Sequence, residues 1–127
     1  MGLVAAMVSS AAEKPVPPAL PKRVDLAEFD RLRTQTNHVV LDVRTPREFK
    51  AGHVPGAVNL DWYSDDFSRR AGQLDKSQTY LVYCASGNRS ARAVARLRAL
   101  GLTNAIEYPG AWREWSASGK PVETQVR

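Results

Sequence analysis

A chain of 127 residues, 43% of them apolar, has the length for one domain and the composition for a packed core, and nothing in it suggests a second domain. One cysteine excludes an intramolecular disulfide and is too few for a structural zinc site. The formal net charge of +5 favours small anions as partners, whereas nucleic acid is not expected, because no recognised binding motif accompanies the charge.

Gly2 to Val8 is a short apolar run, followed by Ser9-Ser10-Ala11-Ala12 with the small-residue character of a signal-peptidase site. It is too short to span a bilayer, so no stable membrane insertion is expected. The reading adopted is export to the periplasm with a mature start near Glu13; the alternative is a full-length cytoplasmic chain. Lys14 to Pro21 carries four prolines and reads as an extended linker. Residues 1–23 are thus an N-terminal segment and 24–127 the domain.

Asp25 caps a helix reaching about Arg33, with Glu28 three residues on and Val24 and Phe29 placed as a hydrophobic staple. Asn37 to Val43 is a buried strand. Thr45-Pro46-Arg47-Glu48 is a second capping box with proline at the first helical position, so a short helix carries Phe49 to the core and stops at Gly52. His53, in a Gly-His-Val-Pro-Gly turn, reads as structural rather than as a base. Ala57 to Leu60 is a short strand, and Trp62 to about Leu74 a helix. Thr79 to Tyr83 is a β-rich apolar strand ending at Cys84. Asn88 to Leu100 is a helix with Ser90, Val94 and Leu97 on one side, stopped by Gly101. Ala105 to Tyr108 is the last strand and Ala111 to Ala117 the last helix, with Trp112 and Trp115 as packing residues. Strands alternating with helices imply a parallel α/β sheet covered on both faces, with its ligand site at the carboxyl end of a strand.

Cys84 sits where that site is expected. A buried, inert cysteine is the competing reading. Gly87 can adopt a positive φ, letting successive N–H groups turn inward as an anion-binding nest at a helix N-terminus, and Arg89 adds a fixed charge. Such surroundings lower a thiol's pKa and make it reactive.

Cys84-Ala85-Ser86-Gly87-Asn88-Arg89-Ser90 resembles the active-site loop of single-domain rhodaneses. Leu41-Asp42-Val43-Arg44-Thr45-Pro46-Arg47-Glu48-Phe49 with Gly52-His53-Val54-Pro55-Gly56-Ala57-Val58-Asn59 resembles their other signature. Pro109-Gly110-Ala111-Trp112 resembles the late Gly-Gly-x-x-x-Trp region, with Pro109 where glycine is usual and a shorter spacing to the tryptophan. The resemblance spans about Val24 to Val122. It implies a three-layer rhodanese-like fold with a mostly parallel sheet of about five strands.

The resemblance also implies a thiosulfate sulfurtransferase: Cys84 takes the outer sulfur of thiosulfate or a related donor as a persulfide and passes it to cyanide or a thiol. Cys84 and Arg89 would be catalytic, and Ala85, Ser86, Gly87, Asn88, Arg89 and Ser90 would bind the anion. Asp42 and Arg44 are candidates to brace the loop, unless they pair only with each other. No metal or other cofactor is called for, and the expected state is a monomer. Two alternatives stand beside this. One is a sulfur-carrier or regulatory module without turnover. The other is a cysteine phosphatase or arsenate reductase, disfavoured because those loops place five residues between cysteine and arginine, and here there are four, Ala85 to Asn88.

A lowered pKa is not the whole chemistry. A thiol brought two units below about 8.5 gains roughly 25-fold in thiolate at pH 7 but loses roughly eightfold in nucleophilicity at a Brønsted slope of about 0.45. Most of the rate must therefore come from donors that hold the anion, in the manner of an oxyanion hole.

Overall fold

The computed structural model describes residues 22–125. The apolar run at 2–8 and the proline-rich stretch at 14–21 lie outside them, and so do the expectations placed there. No helix of the described residues is long and apolar enough to cross a membrane.

The chain runs α1 (Leu26–Leu32), β1 (His38–Asp42), α2 (Pro46–Ala51), β2 (Val58–Asn59), α3 (Phe67–Gly72), β3 (Thr79–Tyr83), α4 (Asn88–Ala99), β4 (Ala105–Glu107) and α5 (Ala111–Ala117). The four strands form one sheet in the order β2-β1-β3-β4 with every pairing parallel. Because side chains alternate across a strand, β3 sends Tyr80, Val82 and then Cys84 to one face and Leu81 and Tyr83 to the other. The first face packs on α3 and α4 through Phe67, Ala71, Ala93, Val94 and Leu97. The second packs on α1 and α5 through Phe29 and Trp115, joined by Val40, Ile106 and Tyr108. Cys84 is thus placed at the carboxyl end of a central strand, on the α4 side.

The helix starts follow their caps. The Asp25 side chain accepts from the Glu28 N–H, and Val24 and Phe29 share one apolar cluster. Thr45 and Glu48 form a reciprocal capping box around Pro46. Gly101, at φ 94°, ends α4 in the left-handed region.

Two expectations are corrected. The sheet has four strands, not about five: residues 22–24 lie beside β4, with Glu107 N–H donating to Lys22 O and Val24 N–H to Glu107 O, but pair only as an isolated bridge at Arg23. Asp25 caps α1 immediately afterwards, which leaves no length for a strand. The helix expected from Trp62 to about Leu74 is confined to Phe67–Gly72. Before it, Asp61 accepts from the N–H groups of Tyr63 and Ser64, and the Ser64 hydroxyl bonds Asp66. Local side-chain hydrogen bonds of this kind favour turns over helix.

Candidate active site

Gly87 stands at φ 100° as the N-cap of α4, a conformation that other residues adopt only with strain. A Cβ there would also meet the Pro109 carbonyl oxygen at 3.1 Å. The tight turn folds the loop back on its cysteine: the Gly87 N–H lies 3.1 Å from Cys84 Sγ, and the Ser90 hydroxyl oxygen 3.4 Å from it. Cys84 is 1% exposed and free. Burial pushes its thiol up, but the Ser90 hydroxyl and the N–H groups of Ser90, Ser86 and Gly87 together outweigh it and hold the pKa below the ordinary value. The inward-turned N–H groups read from the sequence are therefore present, and they converge on sulfur.

A second turn locks this loop from behind. The N–H groups of Trp112 and Arg113 donate to the carbonyls of Cys84 and Ala85 at 2.9 and 3.1 Å. The turn corrects one motif. Ala111 has φ 63° and is fully buried, so Gly110-Ala111-Trp112-Arg113-Glu114-Trp115 fits the Gly-Gly-x-x-x-Trp spacing, with Ala111 in the place of the second glycine. The motif thus starts one residue later than a register with its first glycine position at Pro109, the departure lies at Ala111, and the motif's tryptophan is Trp115. Trp115 is sealed in the core with its indole N–H on Pro121 O.

Arg89 does not point freely at the loop interior. Its guanidinium grips the Glu48 carboxylate at 2.8 and 3.1 Å, stands over the Tyr63 ring, and is 16% exposed. Glu48 also accepts from Thr45 N–H, so one carboxylate caps α2 and ties it to the Cys84 loop. The Arg89 bond, reinforced by Thr45 against the opposing effect of burial, holds Glu48 down at about 2.

Asp42 and Arg44 pair chiefly with each other, in a buried fork with contacts of 2.7 to 3.2 Å. The Arg44 guanidinium also donates to Gly52 O and lies 4.8 Å from the Trp112 ring centre. Its support for the loop is thus indirect, through the residue whose N–H holds Cys84. His53 is buried, stacked on Phe49, and its Nδ1 donates to Phe49 O. Those are packing contacts.

Sequence reasoning missed two residues at this site. Tyr63, exposed beside Arg89, was placed inside the over-extended helix. Glu107, 4% exposed, accepts from the Ser90 hydroxyl at 2.9 Å. Strand alternation carried the signal for Glu107: in Ala105-Ile106-Glu107, Ile106 faces α1 and α5, so Glu107 must face α4 and the Ser90–Cys84 pair.

A parallel α/β sheet that ends a central strand in a thiol, wrapped by N–H donors at a helix N-terminus, defines an α/β protein whose candidate site is a single cysteine at a strand-to-helix junction. The chain belongs to the rhodanese-like domain family, whose description its residues 25–118 match. It is 38% identical over 104 residues to thiosulfate sulfurtransferase GlpE of Pseudomonas putida, with 81% of this chain and 91% of that protein covered. It is 34% identical over 134 residues to the thiosulfate sulfurtransferase of Corynebacterium glutamicum, covering 81% of this chain but only 44% of that longer protein. In structure it resembles a rhodanese-related protein from Thermoplasma volcanium, with a TM-score of 0.71 and 31% identity over 80% of this chain and 97% of the other.

Proposed function

We propose that this protein is a thiosulfate sulfurtransferase that carries sulfur as a persulfide on Cys84. The observation that carries the reading is the ring of N–H donors closed on Cys84 Sγ, supported by relatives named for that activity over most of this chain. The Cys84 thiolate attacks the outer sulfur of thiosulfate; a new S–S bond forms, the bond to the sulfonate sulfur breaks, and sulfite leaves with the electron pair. The terminal sulfur of the persulfide is an anion, and donors already fixed for the thiolate serve it without reorganising. Cyanide or a thiolate acceptor then takes that sulfur, and Cys84 leaves as thiolate. The four-residue spacing from Cys84 to Arg89 gives a narrow ring, fitted to one sulfur atom rather than to a tetrahedral phosphate.

Intact-protein mass spectrometry after exposure to thiosulfate tests this. The expected result is a gain of one sulfur atom, located on Cys84 and discharged by cyanide. A Cys84→Ser protein that turns over thiosulfate and cyanide as fast as the parent overturns it.

A further inference from the structure

Behind the nucleophile lies a buried carboxylate that sulfur transfer as written does not use. Glu107 Oε2 is 2.9 Å from Ser90 Oγ, and Ser90 Oγ is 3.4 Å from Cys84 Sγ. All three residues are buried on the α4 side of the sheet. The other carboxylate oxygen, Oε1, is 3.4 Å from the Arg23 guanidinium, whose side chain is 73% exposed and screened by water. Ser90 is therefore the closest polar partner of Glu107.

A serine hydroxyl has a single proton. An ionised carboxylate only accepts, so while Glu107 is charged the Ser90 proton is committed to it and the Ser90 lone pairs face sulfur. That arrangement suits a thiol, which donates its S–H to Ser90, and opposes a thiolate, which needs a donor. The downward pull of the Ser90 hydroxyl on Cys84 is available only when its proton turns to sulfur.

We propose that Glu107 is a positioning residue that sets the direction of the Ser90 hydroxyl, and through it decides whether Cys84 rests as thiol or as thiolate. When Glu107 is charged, Ser90 accepts from the Cys84 thiol. A neutral side chain at position 107 that donates to Ser90 Oγ lets the Ser90 proton swing to the Cys84 sulfur. On going from thiol to thiolate the S–H proton passes to water; no bond between heavy atoms changes, only the order of two hydrogen bonds. Lys22 and Arg23 from the edge segment and Arg98 from α4 line the same cleft as Glu107, and Arg89 is the cation whose charge acts on Cys84. All four are lysine or arginine, so the group read by an alkylation midpoint near neutral pH is Cys84.

The proposal rests on Cys84 being the nucleophile, and its test is kept apart from sulfur transfer. Cys84 is the sole cysteine, so alkylation by iodoacetamide against pH reads its thiolate directly. Glu107→Gln keeps the shape and supplies an amide donor to Ser90. The alkylation midpoint is expected to fall by about one pH unit, a tenfold change in the equilibrium. In a Ser90→Ala background the same substitution is expected to move it by less than a third as much. A Glu107→Gln midpoint equal to the parent's overturns the proposal. So does an equal shift with and without Ser90, which would make Glu107 a distant charge only. If Glu107→Gln does not fold, Ser90→Ala decides: with Glu107 in control, losing Ser90 leaves the midpoint nearly where the parent has it, and a marked rise, which a free Ser90 donor would produce, overturns the proposal. Mass measurement of persulfide formation in the parent stands separately, so failure of the sulfurtransferase reading is distinguishable.

Discussion

Arg89 brings five N–H donors, of which Glu48 occupies two, leaving three for an incoming anion. The pair therefore positions the guanidinium without exhausting it. Glu48 is about a third exposed, so at neutral pH the pair contributes under about 1 kcal/mol to stability. A contact from the remaining donors to a charged ligand is worth about 1.5 to 3 kcal/mol. Arg89→Ala should accordingly lower efficiency with thiosulfate by roughly 10-fold to 150-fold and the melting temperature only slightly. The pH dependence has a definite sign. Glu48 is depressed from 4.5 to about 2, so its stabilisation is present above the unfolded value and is lost as pH falls through the folded one. Thermal melts between those limits should show a loss in the parent that shrinks in Arg89→Ala. An unchanged rate per folded molecule, with a large loss of stability, would make Arg89 purely structural.

The strand–loop–helix unit around Cys84 depends on a second element, the turn from Pro109 to Arg113, whose N–H groups hold the carbonyls of Cys84 and Ala85. Ala111 sits in that turn at φ 63°, where an L-residue carries a penalty of about 1 to 2 kcal/mol. Glycine there removes the penalty, but gives up a buried methyl worth about 0.8 kcal/mol and adds unfolded-state entropy of about 0.4 to 1 kcal/mol. Ala111→Gly should leave stability within about 0.8 kcal/mol of the parent, whereas Ala93→Gly, inside α4 and equally buried, should cost more than about 1.5 kcal/mol. Denaturant unfolding of the two variants checks this, and equal losses would mean that Ala111 is unstrained. The comparison also marks what was legible. Caps, glycine stops and the run Thr79–Tyr83 are local signals, and they placed α1, α2, β3 and the start of α4 within a residue. The shortened α3 and the absence of a fifth strand were decided by competing side-chain and backbone hydrogen bonds that periodicity does not encode. The Arg89–Glu48 pair spans 41 positions and Ser90–Glu107 spans 17. Such partners follow from the order of strands in the sheet, which no local pattern contains, although the parity of Glu107 was there to be read.

At the scale of the whole molecule, the charge of +5 has a direction. Arg92 and Arg96 are exposed on α4, the helix whose N-terminus closes the Cys84 loop, so on the proposed function a dianionic donor approaching that loop meets the positive end of a helix that carries two exposed cations. Such a field acts on encounter and capture rather than on the bond-breaking step. At about 0.01 M salt it reaches about 30 Å and at about 0.15 M only about 8 Å. Raising salt across that range should reduce kcat/KM for thiosulfate severalfold while leaving kcat nearly constant. Alkylation of Cys84 by iodoacetamide, a neutral reagent, should not respond, because it samples the same sulfur without a charge to be steered. If thiosulfate kinetics are as flat as alkylation, the exposed arginines are a solvated helix face and the donor is held by the loop alone. If both fall together, salt is acting on the loop's own structure. Only the split response assigns the positive field to substrate capture.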